Sequence, residues 1–121
     1  MLVVDGPRAP LGVLADGDGP AVLVLHGFPD HAAGMRGIAD AIVAAGGRAL
    51  SVQLPGYPPS ALPGDGDLRI SSVARDLVGL LDRLGIARVS VVGHDWGALL
   101  AYDLGARHAA RIERIVGISP P

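Results

Sequence analysis

Short apolar runs alternate with longer segments of helical period along the chain. Ala21–Leu25 (AVLVL), Arg48–Val52, Val89–Val92 and Ile112–Ile118 are rich in Val, Ile and Leu with little polar alternation, which predicts strands buried on both faces. Between them, Met35, Ile38, Ala39, Ile42 and Val43 recur at i, i+3, i+4, i+7 and i+8 and stop at Gly46-Gly47, where a helix C-cap belongs. Ile70, Val73, Ala74, Leu77, Leu81 and Leu84 form a second stripe that ends at Gly85. Ser72, Arg75, Asp76, Asp82 and Arg83 fall on its other side and are expected in solvent. A third helix, from about Trp96 to His108, is apolar nearly all round and should pack centrally. At the start, Leu2–Val4 and Leu11–Ala15 flank an Asp5-Gly6 turn signal and read as a hairpin, with Pro7 and Pro10 interrupting its edges. A hairpin followed by alternating strands and helices predicts an α/β fold with a mostly parallel sheet and right-handed crossovers.

Composition narrows the function classes. Eighteen glycines and ten prolines cluster at the joints of this pattern, and half of the 121 residues are apolar, enough for a packed core. No internal repeat or linker divides the chain, so residues 1–121 read as part of one domain, with Pro55–Gly66 as a single loop. There is no cysteine, and the histidines at 26, 31, 94 and 108 lack ligand spacing, so neither a metal nor a cofactor is expected. A net charge of −2 offers no electrostatic footprint for nucleic acid. MLVVDGPRAP resembles no targeting signal, and the longest apolar runs, Ala21–Leu25 and Ala98–Tyr102, are far too short to span a membrane, so a cytoplasmic protein is expected.

In a parallel sheet, ligands bind beyond the carboxyl ends of the strands. After Val89–Val92 comes Gly93-His94-Asp95-Trp96-Gly97-Ala98, with glycine two before and two after an aspartate. A nucleophile at the apex of a sharp strand-to-helix turn needs such neighbours, because strand and helix nearly touch there. Taken alone, Asp95 is more often a helix N-cap. As a nucleophile, a carboxylate at a helix N-terminus is already ionised and needs no base. It suits attack on a saturated carbon that bears a leaving group or a strained ring, and the resulting ester must then be cut by water. That second step needs donors for an oxyanion. The Trp96 N–H is one; the Phe28 N–H, in the loop His26-Gly27-Phe28-Pro29-Asp30 after Ala21–Leu25, is the candidate for the other.

HGFPD at 26–30, LPGYPPS at 54–60 and GHDWGA at 93–98, in this order and each after a predicted strand, resemble the N-terminal half of an α/β-hydrolase fold. The branch they resemble is that of epoxide hydrolases and haloalkane dehalogenases, in which the nucleophilic Asp is followed by Trp. The resemblance implies Asp95 as nucleophile, Gly93 and Gly97 as elbow glycines, and backbone donors from Phe28 and Trp96. It also implies a small-molecule substrate, epoxide or alkyl halide, bound beside Trp96, Phe28 and Asp30. Dehalogenases hold the halide between that Trp and an Asn of the first loop; Phe28 stands at the Asn position and favours the epoxide. Pro58 replaces a glycine common in the second loop. His26 is expected to tie down its loop and His94 to point away from Asp95, so neither is assigned as base. Tyr57 and Tyr102 are expected to pack.

The family's water-activating His, its orienting acid and its helical cap have no counterpart before the chain stops at Ser119-Pro120-Pro121. The fold is therefore expected to be truncated before the cap and last strands, with an uncovered edge at Ile112–Ile118 that favours self-association. Three readings stand: an epoxide-hydrolase-like enzyme, a dehalogenase, and a non-catalytic fragment.

Overall fold

A computed structural model describes all 121 residues. Six strands, β1 (Leu2–Asp5), β2 (Pro10–Asp16), β3 (Ala21–Leu25), β4 (Arg48–Val52), β5 (Val89–His94) and β6 (Ile112–Ile118), form one sheet in the order β1-β2-β4-β3-β5-β6. β1 and β2 make the expected hairpin, and β2 joins β4 antiparallel. β4, β3, β5 and β6 run parallel to one another. Three helices, α1 (Arg36–Ala44), α2 (Ile70–Arg83) and α3 (Trp96–Arg107), connect them. None is long and apolar enough to cross a membrane.

Strand side chains divide by parity, as a pleat requires. Leu23, Leu25, Leu50, Val52, Val89 and Val91 join Leu77, Leu80 and Leu81 of α2 and Leu100 and Leu104 of α3 in the main core. Val24 and Ala49 point to the other face, under Met35 and Ala39. The two expected helix stops hold: Gly46 at φ +90° and Gly85 at φ +68° take the left-handed conformation that ends α1 and α2.

Two expectations change. Met35 lies not in α1 but in a 3₁₀ turn, Ala32–Met35, capped by His31, whose Nδ1 accepts the Gly34 N–H at 3.0 Å. Ser72 and Asp76 are buried rather than solvent-facing, because the β1–β2 turn covers that side of α2. A Cβ at Gly79 would strike the Pro7 ring, so the helix is glycine where the turn rests on it.

Candidate active site

The chain passes from β3 outward to β4 and then back across β3 to β5, so the strand order reverses between β3 and β5. A crevice opens at such a switch point, beyond the carboxyl ends of the two strands. The loop 26–30 leaves β3 there, and Asp95 follows β5.

Asp95 sits at φ +57°, ψ −118°, a conformation costly for any residue with a Cβ. Close approaches on all sides hold it. A Cβ at Gly93 would overlap the Gly97 carbonyl, one at Gly97 the Leu25 and His26 carbonyls, and one at Gly27 the Asp95 side chain. The Asp95 N–H donates to the Ile118 carbonyl at 3.0 Å, so the end of β6 buttresses the turn. Strand, helix and first loop thus meet with only hydrogen between them.

Asp95 Oδ2 accepts the Phe28 N–H at 3.0 Å. That bond first, and then the Trp96 N–H, hold the carboxyl below the usual aspartate value, against some loss of hydration. Oδ2 therefore rests on the Phe28 N–H, with the Trp96 N–H also favouring the ionised carboxyl. Beside it lies an apolar recess walled by Phe28, Leu54, Tyr57, Leu68, Ile70 and Trp96. Phe28 is 66% and Trp96 50% exposed. Asp30 does not line the recess; its Oδ1 accepts the His31 N–H at 2.8 Å.

A family model described as the alpha/beta hydrolase fold matches residues 20–121. The chain belongs to the α/β-hydrolase family. An epoxide hydrolase of Caballeronia sordidicola is 41% identical to it over 112 residues, 92% of this chain and 34% of that protein. Epoxide hydrolase B of Mycobacterium tuberculosis is 38% identical over 107 residues, 88% of this chain and 30% of that protein. Among solved structures, an epoxide hydrolase from Vigna radiata aligns with a TM-score of 0.92 at 33% identity, covering 99% of this chain and 38% of that one. This α/β hydrolase thus spans about a third of the length of these relatives.

Two residues fasten the loops around the Asp95 turn. His26, fully buried, accepts the Leu54 N–H at Nε2 (3.0 Å), while Nδ1 lies 2.9 Å from the Gly27 carbonyl. The ring is therefore neutral with its proton on Nδ1, and Tyr57 packs edge-on against it at 4.9 Å. Gln53, which sequence reasoning passed over, accepts the Ala32 N–H at Oε1 and donates from Nε2 to the Pro58 carbonyl. A single glutamine after a strand carries no local signal of that task. Leu68, Ile70 and Val73 also escaped notice as recess residues, since their spacing reads equally as the start of a helix stripe.

Burial pushes His26 below its ordinary value of 6.5, despite the Gly27 carbonyl. Below pH 6.5 the unfolded chain takes up the proton more readily than the folded one, so stability falls with acidification and is level above that range. The loss should approach about 1.4 kcal/mol per pH unit. Thermal melts from pH 8 to pH 5 are expected to show the decline beginning near 6.5 and to lose that step in His26→Gln; an unchanged step in the variant would assign it elsewhere.

Proposed function

We propose that this chain carries the alkylation machinery of an epoxide hydrolase. The free oxygen of Asp95 attacks a ring carbon of the epoxide, the ring C–O bond breaks, and the alkoxide takes a proton from water. The product is a hydroxyalkyl ester of Asp95. Its carbonyl oxygen would be the one that accepts the Phe28 N–H, and that group together with the Trp96 N–H would hold the negative charge when water adds to the ester carbon and the diol leaves. The observation that carries this reading is Asp95 Oδ2 resting at 3.0 Å on the Phe28 N–H, with the carboxyl held ionised. The Phe28 side chain brings no polar donor to a halide, which favours an epoxide over a haloalkane.

His26 cannot serve as the base for the second step, because both its ring nitrogens are engaged. No residue of 1–121 is assigned as base for the water step, so the ester is expected to accumulate on this chain. Incubation with styrene oxide should raise the intact mass by one epoxide; absence of any adduct would overturn the proposal. Halide release from a haloalkane without an epoxide adduct would favour dehalogenase chemistry, and no reaction with either would leave the non-catalytic reading.

The open edge of β6, where Val116 and Ile118 are exposed and β5 is the one strand partner, is further proposed as a surface through which two copies pair. Sedimentation should then show dimers that dissociate when Val116 is changed to Lys; a monomer at all concentrations would refute the pairing.

A further inference from the structure

Away from the elbow, one side chain joins three distant segments. Arg8, in the β1–β2 turn, forks onto Asp76 of α2, with Nε 2.9 Å from Oδ1 and Nη2 2.6 Å from Oδ2. Its Nη1 reaches Asp65 Oδ1 and the Asp67 carbonyl, each at 2.8 Å. Asp76 is 5% exposed and Arg8 half-buried, so this is a partly desolvated, bidentate pair rather than a surface contact. Pro7, next to Arg8, seats the same turn on Gly79.

The loop that Arg8 grips is also closed on itself. Asp65 accepts the Asp67 N–H, and the Asp67 carboxylate accepts from the Arg69 N–H and guanidinium and from the Ser72 hydroxyl. Those bonds hold Asp67 well below the usual carboxylate range. Leu68 lies inside this loop and Ile70 begins the helix it feeds, and both wall the recess beside Asp95. At about 100° per residue, Ser72, Asp76 and Gly79 cluster roughly 130° around α2 from Ile70, Val73 and Leu77. The polar grip and the recess wall therefore occupy adjacent faces of α2.

We propose that Arg8 is a positioning residue that fixes Leu68 and Ile70, and so sets how well the recess holds an apolar substituent of the substrate. The inference rests on reading the recess as the substrate site. A lysine at position 8 could still meet Asp76 but has no fork with which to hold Asp65 and the Asp67 carbonyl at once. It separates positioning from folding.

Trp96 is the only tryptophan and walls the recess, so its fluorescence reports occupancy. Bromobenzene is an apolar contact quencher whose aryl carbon resists back-side attack, so its binding is independent of the nucleophile. Arg8→Lys and Asp65→Ala are expected to weaken quenching roughly three- to tenfold while keeping the wild-type circular dichroism and melting behaviour. Arg111→Lys, at an ion pair with Asp82 remote from the recess, should bind bromobenzene as wild type does. Wild-type quenching in Arg8→Lys would overturn the proposal, as would an equal loss in Arg111→Lys. Wild-type binding of bromobenzene without a styrene oxide adduct would instead sink the proposed chemistry and leave the positioning role standing.

Discussion

Asp95→Asn should form no adduct with styrene oxide, a loss of at least about a thousandfold in alkylation rate, with little change in fold. Asn is nearly isosteric, its carbonyl oxygen can still accept from Phe28 N–H, and it tolerates positive φ better than most residues. What it lacks is the ionised oxygen proposed to attack carbon. Intact-mass kinetics beside a melting curve would separate the two effects. An adduct that persists in the variant would place the reacting group elsewhere and overturn the assignment of Asp95; a collapse of the melting temperature would show that the charge is needed for folding as well.

The largest structural effect is expected from Gly97→Ala. Its Cβ would meet the carbonyls of Leu25 and His26, which belong to backbone and cannot rotate aside. Either α3 withdraws from β3, which parts the Phe28 and Trp96 N–H groups, or the clash persists. A cost of about 3 kcal/mol is expected, a sizeable part of the ~5–15 kcal/mol that holds a domain together. Gly37→Ala in α1 is the control: no atom lies within 4 Å of its added methyl group, and helix propensity should make it neutral or stabilising by up to about 1 kcal/mol. Equal melting temperatures for Gly97→Ala and wild type would show that the elbow has slack the structure does not suggest.

Much of the site was legible because its signals are local. A strained turn between strand and helix demands small residues at fixed offsets, so Gly93, Asp95 and Gly97 declare their geometry within five positions, and HGFPD repeats the lesson after β3. Other features were not legible, for one physical reason. Periodicity shows which residues of a helix share a face but not what covers the opposite face. Ser72 and Asp76 read as solvated because the element that buries them, the turn carrying Pro7 and Arg8, lies more than sixty residues away in sequence. Gln53 was obscure likewise, since it acts by reaching across to another loop.

By itself, the sequence determined the order of strands and helices, the hairpin, the helix stops and the tight Gly93–Gly97 turn, since each follows from side-chain size, period or backbone freedom within a few residues. The tertiary structure decided which strands became neighbours, and hence that the loops after β3 and β5 meet at a switch point. It also decided that one carboxylate oxygen rests on the Phe28 N–H, and that Arg8 of the β1–β2 turn reaches both α2 and the loop 65–67. Those depend on groups distant along the chain arriving together, which no local pattern encodes.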